Sequence, residues 1–328
     1  MTLVAVALLA TGFGAGYLAA SATPSGATSA TRTDPPSVSE VGGTFVPRET
    51  GVPSRLETPS PGPAASGPLT TPSTGWMIPA PVPVCPPTTA THVFSVRVPI
   101  LMYHRIVPVA LAGDSLEQLV IPPKLFSAQL AALRAAGWRT MTLAALASDV
   151  IAGRRPPART FVITIDDGHD DGFTNALPIL RRYRDVATYF IVTGRLNHPG
   201  NLSDVEVQQL ASAGMEIGDH TVSHADLPIL PIASAQRQIE LAAESIARLV
   251  GHRPTSFAYP YGADNVSVAA LVRHDGFTIA VTTRECAFES ATTAMLTPRI
   301  RVGPSMTPLQ LVRELRAIGG RPLLPRSS

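Results

Sequence analysis

The sequence has 328 residues, 45% of them hydrophobic and 15% charged, with 26 basic residues set against 24 acidic ones. That near balance, with no basic block interleaved with aromatics, excludes a chain built to track nucleic acid. The 32 prolines are unevenly placed, so the length reads as one folded domain with a long tail rather than as two domains. The two cysteines, Cys85 and Cys286, stand far apart and in no paired ligand spacing, which excludes a zinc knuckle. Either one disulfide in an exported chain or two unrelated thiols fits them.

In chain order, residues 3–20 are apolar or small and carry no charge, and Ala20-Ser-Ala22 offers the small-x-small pattern that signal peptidase accepts. Residues 1–22 are therefore read as a signal peptide, with a retained membrane anchor as the alternative, since about 20 apolar residues can span a bilayer. Residues 23–91 are rich in Pro, Ser, Thr, Gly and Ala and have few large apolar side chains, so they are expected to be a disordered linker. Trp76 and Met77, near its end, are candidates to dock on the domain, and Cys85 to staple it there.

Residues 92–328 are assigned to the folded domain. Strands are predicted over residues 98–103, 140–143, 161–166, 187–192, 215–218, 256–259, 278–282 and 298–302, from short β-branched or apolar runs. Helices are predicted over 123–136, 144–152, 174–183, 204–213, 233–250, 266–273 and 309–318, with Ser203 as an N-cap and Gly137, Gly214 and Gly251 just past helix ends. Strands spaced by helices predict parallel β-α units. The fold class is α/β: a distorted (β/α) barrel of about seven parallel strands preceded by the disordered segment.

In such a barrel the functional groups gather past the carboxyl ends of the strands. The apolar run Phe161-Val-Ile-Thr-Ile-Asp-Asp-Gly168 ends there in two adjacent carboxylates, Asp166 and Asp167. Alone, they would read as a helix cap and a first-turn acid. Other strand ends contribute His104, the pair His220 and His224, and Tyr261 with Gly262. The His220-Thr-Val-Ser-His224 spacing suits two imidazoles on one divalent ion, and two His with one carboxylate leave coordination positions open for water and substrate. Zinc is the favoured ion, with cobalt, nickel or iron as alternatives.

These residues resemble the NodB-type polysaccharide deacetylases of carbohydrate esterase family four. The family's Thr-Phe-Asp-Asp-Gly motif is matched by Thr164-Ile-Asp-Asp-Gly168 with one apolar change, and its His-Ser/Thr-x-x-His motif by His220-Thr-Val-Ser-His224. The resemblance covers residues 93–318 or so, and implies that Asp167, His220 and His224 are metal ligands, that Asp166 is the catalytic base and that Tyr261 contributes to the oxyanion site. A third motif, Arg-x-Pro-Tyr-Gly, is met only as Ala258-Tyr-Pro-Tyr-Gly262, so the arginine that orients the base is replaced by Ala258. Arg299 is the candidate substitute, with Arg301 on the same strand face as its competitor. The late Leu-x-His that supplies the general acid is also absent, since no His follows His274. Some extracellular members are permuted so that this motif comes first, and Leu101-Met-Tyr-His104 fits that arrangement, which makes His104 the candidate acid.

Asp219 is a candidate to orient a ligand histidine, whereas His169, Asp170 and Asp171 are given no chemistry. The expected activity is metal-dependent removal of N-acetyl groups from an N-acetylglucosamine-containing polysaccharide of a cell wall or exopolysaccharide. An O-acetyl esterase on a glycan, or a catalytically weak glycan-binding wall protein, is the alternative. The expected partner is the acetylated polysaccharide, the expected state a monomer, and the expected location secreted or in the cell envelope, with membrane attachment through the N-terminal segment left open.

Overall fold

A computed structural model describes residues 94–111, 117–285, 289–290 and 293–319. The expected signal peptide and linker, Trp76, Met77 and both cysteines lie outside the described residues. Among the described residues, no helix is long and apolar enough to cross a membrane.

The elements follow one another as β1 (Ser95–Val96), β2 (Ile100–Tyr103), α1 (Pro123–Ala135), β3 (Arg139–Met141), α2 (Leu143–Ile151), β4 (Thr160–Ile165), α3 (Leu177–Tyr183), β5 (Thr188–Ile191), α4 (Asp204–Ser212), β6 (Glu216–Asp219), α5 (Ile232–Val250), β7 (Ser256–Ala258), α6 (Val266–His274), β8 (Ile279–Glu285), β9 (Glu289–Ser290), β10 (Thr297–Arg301) and α7 (Pro308–Gly319). Local chemistry sets the helix starts. Thr142 accepts from the Ala145 N–H ahead of α2, and Ser203 with Glu206 forms a reciprocal capping box on α4. Along α5, Ala235, Ile239, Ala242, Ala243 and Ile246 recur at helical spacing and are fully buried.

The main sheet runs β2-β10-β8-β7-β6-β5-β4-β3, and a further parallel pairing of β2 with β4 closes it. Because β3 and β5 share one edge of β4, β3 on Thr160 to Val162 and β5 on Thr164 and Ile165, the closed ring has seven strands and β3 is wedged outside it. The expected barrel of about seven parallel strands is what forms. Strands β1 and β9 pair antiparallel beside it.

The side-chain alternation of the strands divides the core in two. Leu101, Ile163, Tyr189 and Ile217 face outward and pack with the helices. Ile100, Val162, Phe190, Ala258 and Val281 face inward and pack against Leu143, Leu146, Ala147 and Val150 of α2. Helix α2 therefore lies across the amino-terminal mouth of the barrel and plugs it. Each fully buried large aliphatic or aromatic side chain contributes about 1.5–3 kcal/mol, so this inner layer is a floor rather than a channel.

Most element ends differ from the predicted ones by a residue or two, and two differences are larger: β8 runs on to Glu285, three residues past its predicted end, and one helix starts late. The helix expected over 174–183 begins as a π-helical turn, Gly172–Ala176, and becomes regular only at Leu177. Pro178 has no N–H to continue a four-residue ladder, and the Tyr189 hydroxyl donates to the Gly172 carbonyl at 3.0 Å, fixing the wide turn.

Candidate functional site

On β4 the inward positions are Val162 and Thr164, and the same alternation points Asp166 inward one layer higher, at the carboxyl-terminal rim. Asp166 is 2% exposed and meets Arg299, which is fully buried. The Arg299 Nη1 donates to Asp166 Oδ1 at 2.8 Å and to Thr164 Oγ1 at 2.9 Å, and its Nε donates to the Thr282 carbonyl at 2.9 Å. Its Nη2 lies 2.7 Å from Asp166 Oδ2 as a close ion pair, without the alignment of a hydrogen bond. Burial pushes the Asp166 carboxyl up, but the Arg299 charge and hydrogen bond, together with His104 and His220, hold it below the usual carboxylate range. Arg301, half-buried further along β10, makes no such contact among the described residues.

Asp167 turns away from Asp166 because its backbone is left-handed, with φ of 75°. Its Oδ1 lies 3.5 Å from His220 Nε2 and 3.3 Å from His224 Nε2, and its Oδ2 lies 3.7 Å from His169 Nε2. Four of the seven positive-φ residues other than glycine among the described residues, Asp167, Thr221, His224 and Tyr261, belong to this site. Strain of that kind persists only where the surroundings over-determine it. Two glycines make room for it. A Cβ on Gly218 would come within 2.6 Å of the Phe190 ring, and one on Gly262, at φ of 70°, within 2.6 Å of the Thr283 nitrogen.

The donor set fits a divalent cation. Asp167, His220 and His224 each offer one ligand atom, and these atoms lie within 4.8 Å of one another. Asp167 Oδ1 is buried and has no hydrogen-bond partner, an expensive arrangement unless a cation receives it. The His220 Nδ1 contacts the Ala258 carbonyl at 2.7 Å, which leaves Nε2 as the nitrogen with a lone pair facing Asp167. Burial also presses the His224 imidazole down to about 4, keeping it neutral and able to ligate.

The same contact corrects the expectation for Asp219. Strand β6 points its side chain out of the barrel, where Oδ1 accepts from the Thr221 N–H at 2.7 Å and Oδ2 is unpaired. The backbone of position 258, whose side chain is too short to reach the base, orients His220 instead.

His104 directly follows β2 beside β4, with Nε2 3.9 Å from Asp166 Oδ2. Burial lowers its proton affinity, against the pull of Asp166 and Asp167. Tyr261 is 65% exposed and its ring packs edge-on to His224, with centroids 4.5 Å apart. The seven residues expected to be catalytic or metal-holding, His104, Asp166, Asp167, His220, His224, Tyr261 and Arg299, thus converge on one site, whereas Arg301 and Asp219 do not join it. His169, given no role, is drawn beside Asp167, and the spacing Asp167-Gly-His169 was the available signal. Asp171 is 3% exposed and turns onto the segment that follows His104.

The model of the family described as polysaccharide deacetylase matches residues 153–280. The chain carries a polysaccharide deacetylase domain. His104 and Arg299 lie outside the matched stretch, one on each side, and the closure of the barrel brings them back to it. YxkH of Bacillus subtilis (strain 168) is 28% identical over 211 residues, 64% of this chain and 73% of that protein. The peptidoglycan-N-acetylglucosamine deacetylase of Bacillus cereus is 33% identical over 101 residues, 30% of this chain and 35% of that protein. Among solved structures, the Streptococcus pyogenes deacetylase PplD in complex with acetate superposes with a TM-score of 0.62 at 26% identity, covering 67% of this chain and 98% of that one.

Proposed function

We propose that this protein is a metal-dependent deacetylase that removes N-acetyl groups from an N-acetylglucosamine-containing polysaccharide of a cell wall or exopolysaccharide, working outside the cell or in its envelope as a monomer. The observation that carries this reading is the pairing of two carboxylates with opposite surroundings. Asp166 is held ionised by Arg299, while Asp167 Oδ1 faces two imidazoles with no hydrogen-bond partner of its own. The acetate in the PplD complex and the N-acetylglucosamine polymer in the name of the B. cereus relative support the choice of bond and substrate.

In this mechanism Asp167, His220 and His224 would hold the ion, with zinc favoured by the imidazole and carboxylate donors. A divalent ion there would supply Lewis-acid polarisation of the acetyl carbonyl and favour hydroxide over water at neutral pH. Asp166 accepts the proton of the attacking water, and Arg299 fixes the carboxylate so that it need not reorganise. The Tyr261 backbone N–H stands ready to donate to the developing oxyanion, and its ring walls the site over His224. His104 delivers a proton to the departing amine, and its lowered proton affinity makes the protonated ring a stronger acid.

The pairing of Asp166 with Arg299 also weighs against a glycan-binding protein without turnover, because the guanidinium absent from position 258 is supplied by β10. The test is acetate release from N-acetylglucosamine oligomers. Chelation should abolish it and added zinc restore it, and Asp166→Asn should reduce it by a factor on the order of 10³. Release that is unchanged in Asp166→Asn sinks the proposal, and activity on O-acetyl glycans alone would replace it with the esterase reading.

A further inference from the structure

The pairing of β2 with β4 ends at Tyr103 and Ile165, with one more backbone bond from the Asp166 N–H to the Tyr103 carbonyl at 3.0 Å. His104 comes immediately after, where the pairing with β4 no longer holds the chain. Arg105, the next residue, is bridged to Val120, its N–H donating to the Leu119 carbonyl at 3.0 Å and its carbonyl accepting from the Ile121 N–H at 2.9 Å. At Ile106 a clasp of side chains from the π-helical segment takes hold on the side facing β4. Asp171 Oδ1 accepts from the Ile106 N–H at 2.6 Å, its Oδ2 meets Arg105 Nε at 2.5 Å, and Asn175 Nδ2 donates to the Ile106 carbonyl at 2.9 Å. Both backbone polar groups of Ile106 are therefore satisfied by residues 171 and 175, as strand pairing would have satisfied them.

Three features say that this clasp serves the site and not only the fold. It joins the segment after Asp167 to the segment after His104, so it spans the two halves of the candidate machinery. It is built on a π-helical turn, a deviation that costs regular hydrogen bonding and is frequent at functional sites. Asp171 is nearly fully buried, and the ionic partner that makes that tolerable, Arg105, is the residue next to His104.

We infer that Asp171, seconded by Asn175, is the positioning residue for His104: it extends the β2–β4 registry past the strand ends and holds the imidazole at Asp166 for proton delivery to the leaving amine. This rests on the reading of His104 as the acid. An amine leaving group needs that proton, whereas a nitrophenolate does not, so the two substrates separate positioning of the acid from general loss of structure.

The experiment uses the full chain loaded with zinc, with His104→Ala, Asp171→Ala, the double variant and Asp171→Asn, which keeps an acceptor for the Ile106 N–H. On N-acetylglucosamine oligomers, Asp171→Ala should lower kcat about tenfold or more with little change in KM, and Asp171→Asn should recover part of the loss. Asp171→Ala should keep most of the wild-type hydrolysis of p-nitrophenyl acetate, and the double variant should be no slower on oligomers than His104→Ala. Equal loss on both substrates, or additive losses in the double variant, would overturn the inference. A wild-type protein inactive on every acetylated glycan defeats the functional proposal instead. The clasp is then read from the ring signals of His104 in a histidine-detected NMR spectrum, which Asp171→Ala should shift while those of the exposed His252 stay in place; an unmoved His104 overturns the inference.

Discussion

The two ends of the barrel each hold a carboxylate that is largely out of water, and they treat it in opposite ways. At the amino-terminal mouth, Glu216 is fully satisfied: Oε2 accepts from the Ala144 N–H at 2.9 Å and from Thr188 Oγ1 at 2.8 Å, and Oε1 accepts from Ser256 Oγ. It stitches the start of α2 to three neighbouring strands. At the carboxyl-terminal rim, Asp167 keeps an oxygen without a hydrogen bond, a left-handed backbone and two imidazoles aimed at it. A carboxylate whose lone pairs are all spoken for is structural, and one left wanting beside convergent donors marks where a ligand belongs.

The largest effect that would break this contrast is expected at Arg299. Arg299→Met leaves Asp166 buried beside no cation and should cost about 3–5 kcal/mol of stability. For a domain of this size each kcal/mol is roughly 2–4 °C in melting temperature, and deacetylation should fall in addition. A double variant Arg299→Met/Asp166→Asn should regain much of the melting temperature and none of the activity. A single variant that melts like the wild type would show that the pair is not buried as described.

At the other end, Glu216→Ala strips the partner from the Ala144 N–H and should cost about 2 kcal/mol through the unsatisfied groups it leaves. Calorimetry should register the loss, while kcat per folded molecule is unaltered. A loss of kcat without a loss of stability would erase the division of labour between the ends.

The smallest effect concerns Asp219, whose carboxyl burial pushes well above its usual range. The folded chain then holds a proton that the unfolded chain releases above the ordinary carboxylate pKa, so this group's contribution falls as pH rises through that window. Asp219→Asn removes the dependence, and with chelator present the variant's melting temperature should gain on the wild type as the pH rises above the ordinary carboxylate range of about 4. A difference independent of pH would mean that Asp219 is ionised in the fold.

The parts legible in the sequence were those carried by short-range pattern. The strand to Asp166 announced itself by six β-branched or apolar residues that are all buried, and the α4 start by Ser203 as its N-cap. The pairing of His220 with His224 was legible because one tight loop carries both. The π-helical start of the helix after Asp171 was not, because it depends on Tyr189, a residue of the next strand. Asp171 read as loop polarity because its partners, Arg105 and Ile106, lie more than 60 residues earlier.

The sequence by itself therefore determined the alternation of strands and helices, the barrel class and the residue types at the rim, since each rests on period and spacing within a few residues. Only the tertiary structure decided which arginine serves Asp166 and which group orients His220. Arg299 and Arg301 share one face of β10, and only the layer at which β10 registers against β2 and β8 puts the first of them at the carboxylate. The His220 partner is a backbone carbonyl, which carries no side-chain signature and is found only once β6 and β7 lie side by side.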